Sequence, residues 1–169
     1  KVVEAVADGT GTIELRTDRP APALPVVEVD GRPFVPRPTG RLITPFTLDT
    51  EREFQTVRLE VARRYATLNG LDIVAVRGPS DWIGIVAAGS TFRETREALA
   101  VLGLRTDDQL RAAGVRLLQL AMPYPLDRAL VREFAAGLAE VVVVEDKDPT
   151  LETAVMAANS RTSARSSGY

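Results

Sequence analysis

The chain has 169 residues, 45% of them hydrophobic, with 21 Lys plus Arg against 23 Asp plus Glu, a formal net charge of -2, and neither His nor Cys. That length and apolar content support one ordinary core and a small annex, and the balanced charge gives no electrostatic basis for nucleic acid as a partner. Without His or Cys the chain cannot by itself build a His-based triad, a Cys nucleophile, a cysteine-ligated iron–sulfur cluster or most structural zinc sites.

Seven of the eleven prolines fall between Pro20 and Pro45, which describes an arm rather than a core. Within it, Asp30-Gly31 sits between strand-forming residues at Val26–Val35 and predicts a type I′ hairpin, whose two central positions need positive φ. The spacing of Val57, Val61, Tyr65 and Leu68 then predicts a helix over Glu51–Asn69 stopped by Gly70. Glu60 and Arg64 stand at i and i+4 on its other face. Arg52, Arg58, Arg63 and Arg64 could form an anion patch, but interleaved acids make them an ordinary solvated face. Leu71–Val76 is a short strand leading to Gly78-Pro79.

Two βαβ crossovers follow. Trp82–Ala87 is a buried-type strand, Gly89–Thr91 a turn, and Phe92, Thr95, Leu99 and Leu102 recur at helical spacing over Thr91–Leu102. The pattern repeats in the strand Val115–Leu120, the Pro123–Pro125 turn, a helix over Asp127–Leu138 with Asp127 as N-cap, and the strand Val141–Glu145. Strands apolar on both faces belong in a parallel sheet covered by helices. The fold class is therefore α/β: a three-layer α/β/α open, mostly parallel sheet, preceded by the proline-rich arm with its hairpin. No apolar segment reaches the roughly 20 residues of a bilayer span, and Lys1–Thr10 lacks a signal-peptide pattern, so the expectation is a cytoplasmic protein with no membrane partner.

The candidate site residues are few. Gly89, Ser90 and Thr91 lie between a buried strand and a helix, where backbone N–H groups could take a phosphate. Thr91 and Glu94 also have the spacing of a capping box, which would consume the same donors. Tyr124 could touch a ligand or pack over the adjacent crossover. Glu145 and Asp146 could bind Mg²⁺ or work as acid and base, but adjacent strand residues face opposite ways, so a Glu145–Lys147 ion pair is simpler. No catalytic residue and no metal ligand is assigned.

Several of these segments together resemble one enzyme family. Trp82–Leu99, Leu102-Gly-Leu104, Gly114–Leu118, Met122-Pro-Tyr-Pro-Leu126, Arg132–Leu138 and Val142–Glu145 with Lys147 are similar to indolepyruvate ferredoxin oxidoreductase and, more broadly, to 2-oxoacid ferredoxin oxidoreductases. Lys1–Asp8 and Thr17–Pro20 resemble the segment leaving that family's first thiamine-diphosphate domain.

The resemblance implies a multidomain enzyme that decarboxylates arylpyruvates, passes electrons through iron–sulfur clusters to ferredoxin and delivers the acyl group to coenzyme A. The present piece would be its transketolase C-terminal-like domain, with thiamine diphosphate, Mg and the clusters held elsewhere and the other domains as its partners. The expected division is a connector over 1–50, the α/β domain over 51–158 and a polar tail over 159–169. The start at Lys1 and the departure from the family pattern from Asp148-Pro149 onward are expected of a cut piece. The alternative is a free-standing module binding a nucleotide or coenzyme A through the Gly89 turn.

Overall fold

The computed structural model describes residues 10–12, 14, 21–37, 40–41 and 43–159. Lys1–Asp8, Thr17–Pro20 and residues 160–169 of the tail, which carried expectations above, lie outside the described residues.

Strands β1 (Glu28–Val29) and β2 (Arg32–Pro33) pair antiparallel, and between them Asp30 and Gly31 take φ of 51° and 73°. That is the turn that Asp-Gly favours. The arm is fastened to the helix after it: Ala23 N–H donates to Asn69 Oδ1 at 2.8 Å, Asn69 Nδ2 donates to Ala23 O at 2.9 Å, and Arg64 Nη1 donates to Val26 O.

A helical rod follows, made of α1 (Phe46–Glu53), a π-helical turn at Phe54–Arg58 and α2 (Leu59–Leu68). It starts at Phe46 rather than at the expected Glu51. Pro45 precedes the first turn, where its missing N–H breaks no helical bond. The rod ends as predicted, with Gly70 at φ 58° and Leu71 N–H donating to Ala66 O at 3.0 Å. Its arginines are paired within the helix, Arg63 and Arg64 with Glu60 and Arg58 with Glu53, so the solvated-face reading holds. Val57, Val61 and Tyr65 are half-buried and Leu68 is exposed.

The sheet holds β3 (Ile73–Val76), β4 (Ile83–Ala88), β5 (Val115–Leu120) and β6 (Glu140–Val144) in the order β3-β5-β4-β6. The three strands predicted to be parallel neighbours are so, with Ile83 opposite Val115 and Glu140. β3 runs antiparallel to β5. Its link to β4 is too short to carry a crossover, so the chain must reverse there and β3 becomes an antiparallel edge strand.

The chain moves from β4 to β5 in one direction and from β5 past β4 to β6 in the other, so crossovers of one hand put their helices on opposite faces. The packing shows this division. One face carries α3 (Gly89–Val101) and α4 (Asp107–Ala112), whose Phe92, Leu99 and Leu110 pack with Val76, Ala87 and Leu117. The other carries α5 (Arg128–Ala135) and α6 (Thr150–Asn159), whose Val131, Phe134 and Val155 pack with Val86, Leu118 and Leu120. Gly84 on β4 admits α5 closely: a Cβ there would lie 2.5 Å from Leu138 Cδ1 and 2.8 Å from Phe134 Cε1.

Two expectations are corrected. The Thr91–Glu94 capping box does not form, because α3 starts at Gly89, directly after Ala88, and Thr91 lies inside its first turn. Gly89, at φ 57°, makes the abrupt strand-to-helix change. The capping box stands instead at α4, between Thr106 and Gln109. Nor does Glu145 pair with Lys147. Its two carboxylate oxygens accept from Leu151 N–H at 2.9 Å and Glu152 N–H at 3.0 Å, holding the first turn of α6, a helix that the sequence reading left unassigned.

At the amino edge of the sheet a buried ion pair ties the layers together. Arg116 Nε donates to Asp81 Oδ2 at 2.9 Å, and Arg116 Nη1 donates to the carbonyls of Phe134 and Ala136 at the end of α5. The side chains are 8% and 0% exposed. Gly78 N–H gives Asp81 Oδ2 a second bond at 2.8 Å, and Asp81 Oδ1 is buried without a hydrogen-bond partner.

Candidate functional site at the carboxyl edge of the sheet

The loops after β4, β5 and β6 leave the sheet at one edge. The loop after β4 turns to one face while those after β5 and β6 turn to the other, which opens the crevice where α/β sheets bind ligands. Short-range signals in the sequence shape these loops, and two carboxylates then hold them. Asp72, just before β3, accepts from Ala121 N–H at 2.8 Å and Met122 N–H at 2.9 Å, fixing the loop that carries Pro123, Tyr124 and Pro125. Asp127 caps α5 as predicted, accepting from Ala129 N–H at 2.9 Å and Leu130 N–H at 3.2 Å. It also accepts from Thr67 Oγ1 of α2 at 2.8 Å, which joins the rod to the sheet domain.

Two cavities share this edge. The smaller, about 320 Å³, lies between Ala88, Thr91, Tyr124, Val144, Leu151 and Ala154, with Glu145 and Asp146 at its side. Its lining is chiefly apolar, as ligand pockets usually are. The larger, about 660 Å³, lies between the rod and α5, bordered by Thr56, Glu60, Arg63, Tyr124, Arg128 and Arg132. Pro123, Tyr124 and Ala154 border both. Tyr124 is 68% exposed, so it does not pack over a crossover but forms a wall between the cavities.

The electrostatics follow from the pairing. The Asp127 carboxyl would be pushed up by burial, but the Thr67 hydroxyl, the two backbone N–H groups and the Arg63 charge outweigh that and hold it below the usual aspartate value. Glu60 is held below the usual glutamate value by the hydrogen bond from Arg63, against burial and with further help from Arg64. Both carboxylates bordering the larger cavity are thus ionised and already engaged.

Of the residues singled out from sequence, Thr91, Tyr124, Glu145 and Asp146 come together at the smaller cavity, whereas Gly89 and Ser90 are exposed outside its lining. The first turn of α3 has no side-chain cap. Sequence reasoning missed Arg128 and Arg132; the available signal was two like charges one helical turn apart directly after the Pro-Tyr-Pro turn. Among the described residues no group of three or more His, Cys, Asp or Glu could hold a metal ion, and no helix is long and apolar enough to cross a membrane.

This architecture defines an α/β/α domain with a ligand-type edge, and the comparisons supply the family. The model of the indolepyruvate ferredoxin oxidoreductase middle domain matches residues 72–164, more than half of the chain. The chain belongs to the indolepyruvate ferredoxin oxidoreductase family.

It is 30% identical over 148 residues to the indolepyruvate oxidoreductase subunit IorA of Methanothermobacter thermautotrophicus, covering 87% of this chain and 21% of that one. It is 35% identical over 81 residues to IorA of Pyrococcus horikoshii, covering 47% and 11%. A solved structure of 2-oxoglutarate:ferredoxin oxidoreductase from Magnetococcus marinus, with 2-oxoglutarate, coenzyme A and succinyl-CoA bound, matches 69% of this chain and 19% of its own at 22% identity and a TM-score of 0.45. The chain spans about a fifth of the length of the Methanothermobacter relatives.

Proposed function

We propose that this chain is a noncatalytic structural domain of a thiamine-diphosphate-dependent 2-oxoacid ferredoxin oxidoreductase of the indolepyruvate type. Its division is a connector over 1–50, a transketolase C-terminal-like domain over 51–158 and a polar tail over 159–169. The parent would be cytoplasmic and would convert arylpyruvates plus coenzyme A to aryl-acyl-CoA while reducing ferredoxin. The family match over 72–164 carries this reading. The sequence is compatible with it, since the chain has no cysteine to ligate a cluster by itself. Thiamine diphosphate, with Mg, supplies carbanion stabilisation when bound, and in this reading its ligands lie on other domains, which are this domain's partners.

Isothermal titration of the chain with thiamine diphosphate plus Mg²⁺, together with an indolepyruvate assay using a viologen acceptor, tests the reading. Neither Mg²⁺-dependent saturable binding nor turnover is expected; stoichiometric thiamine diphosphate binding that requires Mg²⁺ would overturn it. A second reading is favoured by the missing side-chain cap at the first turn of α3. In it the chain is a free-standing module whose Gly89, Ser90 and Thr91 take the phosphate of a nucleotide or coenzyme A through backbone N–H groups. Coenzyme A binding that disappears in Gly89→Val would promote it.

A further inference from the structure

The two cavities at the carboxyl edge differ in character, and the difference specifies a ligand. In the larger one three arginines border the space, and only Arg63 is paired, with Glu60 at 2.7 Å. Glu60 is held by Arg63 and Arg64, and Asp127 by Thr67 and the first turn of α5. Neither acid is therefore left over for Arg128 and Arg132, whose side chains form no ion pair or hydrogen bond among the described residues. These two stand one turn apart on α5, both at the cavity, and their mutual repulsion is a standing cost that a bound anion removes. Two guanidinium forks at that spacing suit a group with several anionic oxygens. The smaller cavity is apolar on most of its wall, and Glu145 and Asp146 beside it disfavour an anion there.

We propose that the two adjoining cavities together bind a small organic phosphate, its phosphate groups between Arg128 and Arg132 and its aromatic or apolar part past Tyr124 in the smaller cavity. Tyr124, bordering both spaces, offers its ring to that part. The inference rests on neither functional reading and shares only its ligand class with the second. It also puts the phosphate on side-chain charges rather than on the Gly89 turn.

Isothermal titration of the full chain at low ionic strength, with ADP as an aromatic diphosphate and inorganic pyrophosphate as its headgroup alone, tests this. ADP should bind one to one and more tightly than pyrophosphate. The double variant Arg128→Gln, Arg132→Gln should weaken both by at least about tenfold, the scale of a lost hydrogen bond to a charged group. Tyr124→Ala should weaken ADP and spare pyrophosphate, and Arg105→Gln, exposed and outside both cavities, should change neither. Circular dichroism checks that each variant is folded. Absence of saturable heat from folded chain would overturn the proposal. So would affinities indifferent to the two arginines, or binding lost in Gly89→Val while the arginine variant retains it.

Discussion

Replacing Arg116 by Met isolates the buried ion pair at the amino edge. Methionine keeps an unbranched apolar stem but removes the bond from Nε to Asp81 and those from Nη1 to the Phe134 and Ala136 carbonyls. Asp81 is then left fully buried, with one oxygen already unpartnered and the Gly78 N–H as its remaining donor. Removing one member of such a pair costs roughly 3–5 kcal/mol because it strands the other charge, a large part of the roughly 5–15 kcal/mol that holds a domain. At roughly 2–4 °C per kcal/mol for a chain of this size, Tm falls by some ~6–20 °C.

Combining it with Asp81→Asn removes the stranded charge. The pair should then be less damaging than the sum of its parts, with a coupling of about 1.5 kcal/mol or more. Urea unfolding followed by the fluorescence of Trp82 reads this out: it is the chain's single Trp, and its indole N–H donates to Ala113 O beside the pair. An Arg116→Met variant within about 1 kcal/mol of the parent, or two strictly additive substitutions, would refute the reasoning.

Gly84→Ala should destabilise by about 1–3 kcal/mol in the same urea assay, since the new methyl meets Leu138 and Phe134 inside contact distance and α5 must shift. Asp127→Asn keeps a capping oxygen but no charge. Because the folded carboxyl is held below its unfolded value, its ionised form contributes stability that is fully present above the unfolded pKa, ordinarily about 3.9, and lost as pH falls through the folded one. The stability gap between parent and variant should therefore be constant near neutrality and close below about pH 4; a gap that widens on acidification would contradict the assignment.

The fold was legible wherever a local pattern sufficed. The runs at Trp82–Ala87, Val115–Leu120 and Val141–Glu145 gave three strands to within a residue or two, because a strand covered on both faces is apolar throughout. Asp30-Gly31 and Gly70 announced their turns through the positive φ they adopt. The antiparallel direction of β3 was not legible, since it depends on which strand it meets. Nor was Arg116, a charge inside an apolar strand whose partner lies 35 positions away. The Thr91 capping box failed because two neighbouring starts compete for one helix, and Ala88-Gly89 prevailed. The candidate site was half legible. The Pro-Tyr-Pro loop and Asp127 were visible in sequence, but the larger cavity lies between the rod and α5, which are linked by Thr67 and Asp127, 60 positions apart.

Mass spectrometry of the native polypeptide that carries this sequence, isolated under anaerobic conditions and assayed for arylpyruvate-dependent viologen reduction with coenzyme A, tests the central claim most directly. The account predicts a polypeptide several times longer than these 169 residues, with cysteine-rich segments outside them, bound iron and that activity. A native polypeptide confined to these residues, free of iron and inert toward arylpyruvates, would contradict it.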